Sequence, residues 1–246
     1  MLKKSIKSFL LFLTAPIRFA VRYELYNTAS VRRDVNQALS QRDIHQVLLK
    51  KALESTADYV AKEMAHVDSV TSKFDLLTLA VDKANLANKL ICEFGVYSGH
   101  TINHIASLTD ETVFGFDSFE GLPERWRDGF EKGHFKKDGL PSTRENVELI
   151  VGWFDETLPK FIEEHPKPVG FLHIDCDLYS STKTIFDLLT PYMQPGCVIV
   201  FDEYFNYPGW EEGEFKALHE FLRKTGLSYD YLGFNRLSEQ VAIIIK

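Results

Sequence analysis

Between Val31 and Val67 apolar residues recur at spacings close to whole turns of a helix: Val31, Val35, Leu39, Val47, Leu48, Leu53, Val60 and Met64. This period predicts a helix, broken once or twice, with no glycine or proline inside it. A second helix is predicted over Lys73–Ala87. Beyond Leu90 the pattern changes to short apolar runs separated by helix-like stretches. The runs are Leu90–Phe94, Val113–Phe116, Val147–Gly152, Val169–Ile174 and Cys197–Phe201. Strand-like runs alternating with helices predict βαβ units and a parallel sheet. Tyr229–Gly233 and Gln240–Ile245 flank a polar turn and predict a terminal antiparallel hairpin.

The fold class that follows is α/β: a doubly wound, mostly parallel, seven-stranded Rossmann-like sheet with a terminal hairpin and N-terminal helices. Residues 1–66 form an N-terminal helical segment and residues 67–246 the sheet domain. One connection, "SFEGLPERWRDGFEKGHFKKDGLPSTR" from Ser118 to Arg144, has no period and reads as a lid over a binding site.

The 246 residues suffice for a full core, and 45% of them are hydrophobic. A net charge of −7 without a basic block argues against a nucleic-acid partner. Cys92, Cys176 and Cys197 form no CxxC and read as buried reduced thiols of a cytoplasmic protein. The first 22 residues, "MLKKSIKSFLLFLTAPIRFAVR", are basic and apolar, and Pro16 and Arg18 cut the apolar stretch short of a membrane span. Two readings stay open. The segment is either an amphipathic helix in peripheral contact with an anionic membrane or a helix docked on the domain or a partner subunit. The long N-terminal helices suggest a homo-oligomer, a dimer.

The candidate chemistry lies at predicted strand ends, where ligands of doubly wound sheets bind. "LICEFGVYSG" runs from a strand into Gly95, Tyr97, Ser98 and Gly99. A dinucleotide fingerprint needs a glycine where Tyr97 stands, so the loop suits a ligand without a pyrophosphate. Glu93 precedes the loop, and Asp117 follows 24 positions later at the next strand end. There Asp117 can accept hydrogen bonds from ribose hydroxyls, with a turn cap as the competing role. Trp153 and Phe154, after the Val147 strand, offer a stacking wall for a base or else plain core. Glycine loop, ribose acid and aromatic wall together describe an S-adenosyl-L-methionine pocket, its sulfonium favoured by carboxylates and ring faces.

"HIDCDLYSST" ends the Val169 strand with Asp175, and "GCVIVFDEY" ends the next with Asp202 and Glu203. Adjacent parallel strands lie about 4.8 Å apart, so these acids converge. Gathered carboxylates repel unless a cation joins them or they act as caps and ion-pair partners. An oxygen-only set favours Mg²⁺ or another hard divalent cation over Zn²⁺. Such an ion could hold an acceptor hydroxyl while Asp175 takes its proton. Asp177 reads as a cap of a Ser180–Leu189 helix. Trp210, within Tyr204–Glu214, reads as a sugar-stacking ring or as core.

Five blocks in order, "EFGVYSGHT", "GFDSFEGLPE", "GWFDETLP", "HIDCDLYSST" and "GCVIVFDEY", resemble the TylF/MycF (macrocin O-methyltransferase-like) family of class I methyltransferases. The resemblance covers about Leu90–Tyr204. It implies methylation of hydroxyls on natural-product sugars, using S-adenosyl-L-methionine and a divalent metal. Asp175, Asp202 and Glu203 match its metal positions, with Asp175 also the base. Glu93, Gly95, Asp117 and Ser118 match its donor pocket, and Trp153 the adenine neighbour. Glu203 replaces a second Asp, and the N-terminal stretch and lid have no match. The acceptor class therefore widens from macrolides to small molecules, glycans and glycolipids. Two alternatives remain: a glycosyltransferase using the DxD at 175–177, and a non-catalytic donor-binding or scaffold protein.

Overall fold

The computed structural model describes residues 43–246. The basic segment 1–22 and the start of the first predicted helix lie outside the described residues. Helix α1 (Ile44–Glu63) is the described part of that helix. The chain divides into two compact units, 1–51 and 52–246, at a point inside α1. Residues 52–66, which the sequence groups with the N-terminal segment, belong to the second unit. Ala52, Thr56 and Met64 are buried there, and the Tyr59 phenol is hydrogen-bonded to Tyr231.

The second unit is one mixed sheet with helices on both faces. Its strands are β1 (Ser69–Val70), β2 (Leu90–Phe94), β3 (Val113–Asp117), β4 (Val147–Val151), β5 (Val169–Ile174), β6 (Val198–Phe201), β7 (Tyr229–Asn235) and β8 (Val241–Ile245). The order is β1-β7-β8-β6-β5-β2-β3-β4. β4, β3, β2, β5 and β6 are parallel, and β8 lies antiparallel between β6 and β7. All seven predicted strands are present. The eighth, β1, is a correction: two residues are too few to show a period, and β1 joins only by pairing with β7.

Strand alternation decides which face each residue serves. Leu90, Cys92 and Phe94 of β2 enter one core, packed by α4 (Phe154–Glu164), α5 (Tyr179–Leu189) and α6 (Glu214–Thr225). Ile91 enters the other, packed by α2 (Lys73–Lys83) and α3 (His100–Ser107). The helix predicted to Ala87 ends at Lys83, where Ala84 turns extended. All three cysteines are buried and unbridged. Among the described residues no helix is long and apolar enough to cross a membrane.

The chain winds outward from β2 through β3 to β4, then returns to β5 on the other side of β2. Strand order therefore reverses between β2 and β5. The turns leaving their carboxyl ends diverge there, and a crevice opens.

Candidate active site

A cavity of about 910 Å³ fills that crevice, lined by the turns after β2, β3, β5 and β6, the start of α2 and the Ser118–Arg144 connection. Gly95, Tyr97, Ser98, Asp117, Ser118, Trp153, Phe154, Asp175, Asp202 and Glu203 all line it. Residues spread over more than a hundred positions are thus brought together.

The turn after β2 is held from below. Gly95 has φ +96°, and a Cβ there would stand 1.7 Å from the carbonyl oxygen of Asp175. Only glycine lets this turn lie against the end of β5. Gly99, also left-handed at φ +79°, starts α3. Tyr97, at φ 45°, keeps its ring 45% exposed and edge-on to Phe135 of the connection.

Asp117 organises backbone. Its Oδ2 accepts the Val96 and Tyr97 N–H groups at 2.9 and 2.8 Å, and its Oδ1 accepts Phe119 N–H at 2.7 Å. The turn-cap role is thus filled, while the carboxylate still borders the cavity. Phe154 is both wall and core, packed edge-on against Phe94 at 5.3 Å.

Glu93 does not reach the cavity lining. It is wholly buried, accepting from Thr101 Oγ1 at 3.1 Å and contacting His173 Nδ1 at 2.8 Å. The register explains this: Glu93 pairs with His173 across β2 and β5, so both side chains leave the sheet on the same face.

Asp175 follows His173 by two positions on that face, and Asp202 follows β6 next to it. The Lys73 ammonium lies 2.9 Å from Asp202 and 3.7 Å from Asp175 Oδ2. Burial and the neighbouring Asp202 push Asp175 well above the usual carboxylate range. Burial would raise Asp202 too, but His173 and Lys73 outweigh it and hold Asp202 low. Burial opposes the charged form of His173, yet Asp202 and Glu93 raise it to about 10. Glu203 lines the cavity beside them, raised by burial and by Asp202. Its Oε2 has no hydrogen-bond partner among the described residues, and the same holds for His173 Nε2, whereas Asp202 Oδ1 faces the Lys73 ammonium at 2.9 Å. The side chains whose donor atoms converge are His173, Asp175 and Asp202; Glu203 is not in that group.

One expectation is corrected, and one open reading is decided. Asp177 does not cap a helix: α5 starts at Tyr179, and its N-cap Leu178 makes no side-chain cap bond. Asp177 sits at φ 63°, borders the cavity and is raised to about 7 by burial, with Arg127 opposing. Trp210 is core, 3% exposed, with its Nε1 donating to Ser55 Oγ. Trp126 of the connection lines the cavity instead, stacked under Arg127 at 3.8 Å. Arg127 is in turn paired with both carboxylate oxygens of Glu239 at 3.2 and 3.1 Å.

Lys73, His173 and Arg127 escaped the sequence reading. Arg127 met Glu239 across 112 positions, with no local signal. The other two had one. The alternation of "HIDCD" aligns His173 with Asp175, and a lysine at the first position of a helix opposes the helix dipole unless acids face it.

Residues 92–204 match the model of a family described as a methyltransferase domain. The similarity to that family thus covers the segment from within β2 to just past β6. One relative of this chain, from Streptomyces olivaceus, is 8-demethyl-8-(2,3-dimethoxy-alpha-L-rhamnosyl)-tetracenomycin-C 4'-O-methyltransferase. It is 29% identical over 120 aligned positions, which cover 39% of this chain and 43% of that protein. Demethyldecarbamoylnovobiocin O-methyltransferase of Streptomyces niveus is 25% identical over 148, covering 52% and 54%. The matches span about half the length of these relatives. CalS11, a calicheamicin methyltransferase of known structure, superposes with a TM-score of 0.56 over 70% of this chain and 77% of its own, at 23% identity. The sheet domain thus shares its doubly wound fold with CalS11.

Proposed function

We propose that the protein transfers the methyl group of S-adenosyl-L-methionine to a hydroxyl oxygen of a sugar or sugar-bearing small molecule. The observation that carries this is Asp175. Its carboxylate, 24% exposed, opens into the same crevice as the Gly95–Gly99 turn and Asp117. The match of residues 92–204 to a methyltransferase-domain family supports the donor, and the rhamnosyl group in the name of one relative supports the acceptor class.

On this reading the turn after β2, Asp117, Ser118 and Trp153 hold the donor, and Asp175 faces the acceptor. Asp175 takes the hydroxyl proton as the oxygen bonds to the methyl carbon. The sulfur–carbon bond breaks with its electron pair left on sulfur, giving S-adenosylhomocysteine. A carboxylate raised by burial is a stronger base than one in water, which suits it to this step. The connection from Ser118 to Arg144 walls the acceptor side through Trp126 and Arg127.

A divalent cation fits the acids. Glu203 Oε2 is buried without a hydrogen-bond partner among the described residues, Asp202 Oδ1 faces the Lys73 ammonium, at 2.9 Å, in place of which an ion could stand, and Asp175 lies beside them. Asp175, Asp202 and Glu203 would hold the ion, which when bound polarises the acceptor hydroxyl.

Calorimetry with S-adenosylhomocysteine tests the donor site, and methyl transfer to a panel of rhamnosides tests the acceptor class. Asp175→Asn should keep donor affinity and lose about 10²- to 10⁴-fold in kcat. Unchanged turnover in that variant would reject Asp175 as base. Binding of a nucleoside-diphosphate sugar in place of S-adenosylhomocysteine would reject the whole assignment.

A further inference from the structure

The acids after β5 and β6 read from the sequence as an oxygen-only cation site, and one buried nitrogen stands outside that reading. His173 is completely enclosed. Its Nδ1 meets Glu93 Oε2 at 2.8 Å, which fixes the ring and leaves Nε2 on the side of the carboxylates. Nε2 has no hydrogen-bond partner among the described residues and stands 3.7 Å from Asp202 Oδ1. One donor atom from each of His173, Asp175 and Asp202 lies within 4.8 Å of the others.

We propose that His173 is a ligand of a divalent cation shared with Asp175 and Asp202, bonding through Nε2 while Glu93 holds Nδ1–H. This deepens the methyltransferase reading, because the ion would stand beside Asp175. Three physical arguments favour it. Metal-bound histidines commonly donate their second nitrogen to a carboxylate, which fixes the tautomer. An imidazolium serving only to bridge Glu93 and Asp202 would put Nε2–H within hydrogen-bond distance of Asp202, and 3.7 Å is too long. Adjacent donors about 2.1 Å from an octahedral ion stand about 3.0 Å apart, so Nε2 and Oδ1, now 3.7 Å apart, need only a small inward shift to share one.

Lys73 now supplies the positive charge between the two aspartates. Its side chain is 33% exposed to the cleft, and a flexible four-carbon stem lets the ammonium yield to an ion. Binding also releases the Nε2 proton, as ligation by imidazole requires. A mixed nitrogen and oxygen set suits Mn²⁺ better than Mg²⁺, since imidazole is a softer ligand than carboxylate.

The test is Mn²⁺ titration of the full chain after chelation and dialysis, with and without S-adenosylhomocysteine. Electron paramagnetic resonance counts bound ion, and pulsed spectra detect the ¹⁴N coupling of a coordinated imidazole. The expected result is one Mn²⁺ per chain with ¹⁴N coupling, held at least about tenfold tighter than Mg²⁺. His173→Gln should abolish the coupling and weaken Mn²⁺ at least about tenfold, with its fold checked by circular dichroism. Lys73→Met should tighten it. Asp202→Asn, expected to lose the coupled signal, identifies the site independently should His173→Gln fail to fold. Bound Mn²⁺ without ¹⁴N coupling, coupling that survives His173→Gln or Asp202→Asn, or no bound Mn²⁺ would each overturn the proposal. Calorimetry with S-adenosylhomocysteine in chelator reads the donor pocket separately. Its failure beside an intact Mn²⁺ signal would strike the methyltransferase reading and leave the His173 site standing.

Discussion

Gly95→Ala is expected to be among the most damaging single-methyl additions in this domain. The new Cβ would lie 1.7 Å from the carbonyl oxygen of Asp175 and 2.7 Å from its carbonyl carbon. Neither side can step back freely. Gly95 N–H is bonded to Phe116 O and Asp175 N–H to Phe94 O, both at 2.9 Å. A Cβ at positive φ costs about 1–2 kcal/mol, and forcing a methyl into packed structure adds about 1–3 kcal/mol. The sum is about 2–5 kcal/mol. At about 2–4 °C per kcal/mol for a domain of this size, Tm should fall by about 10 °C. Gly196→Ala is the control: φ is +92° and nothing lies within 4 Å of its Cβ, so it bears the backbone cost alone. Differential scanning calorimetry of both variants isolates the clash. Because that clash falls on Asp175, methyl transfer should drop more than affinity for S-adenosylhomocysteine. A Gly95→Ala protein melting with Gly196→Ala would refute the claim that this turn fixes Asp175.

Asp117→Ala loosens the turn whose three amides it holds and removes one charged hydrogen bond to the donor, so at about 1.5–3 kcal/mol for that bond the Kd for S-adenosylhomocysteine should rise about 10- to 100-fold by calorimetry. Arg127→Met removes a partly exposed ion pair worth about 1 kcal/mol and a ring contact of about 0.5–1 kcal/mol. Acceptor KM should rise about tenfold while donor Kd stays unchanged. His219, packed on Phe215 at 4.2 Å, is held below its usual 6.5 by burial and then by Arg223. The unfolded chain therefore takes up this proton first as pH falls below about 6.5, and stability drops in that window. His219→Gln should show a smaller Tm loss between pH 7 and 5.5 than the parent protein.

The strands from Leu90 onward were legible because each is a short apolar run bounded by turn residues. Their order was not written in those runs; it follows from which helix covers which face. Asp175, Asp202 and the Gly95 turn could be placed at strand ends from the pattern alone, and the crevice holds all three. Trp210 could not. A tryptophan in a polar stretch with glycines looks exposed, and only the packing of Phe215 and Tyr59 around it, at 4.8 and 5.4 Å, makes it core. Asp177 failed as a cap for a local reason: α5 begins at Tyr179, and a residue at φ 63° aims its carboxylate into the cleft instead.

Charge explains what the spacing of acids left out. A group of carboxylates demands cations, and divalent metal is the answer that acids alone suggest. The fold brings two more cations to the same place by different routes. Lys73 arrives at the first turn of α2, where the helix dipole alone would disfavour it and Asp202 and Asp175 make it favourable. His173 arrives by strand alternation, two residues ahead of Asp175 and in register with Glu93. The cluster thus alternates acids with bases, from Glu93 through His173 and Asp202 to Lys73 and Asp175. Such a run holds the acids together without an ion. It also sets the terms on which an ion can enter, since each positive ion bound there must displace a proton from His173 or the ammonium of Lys73.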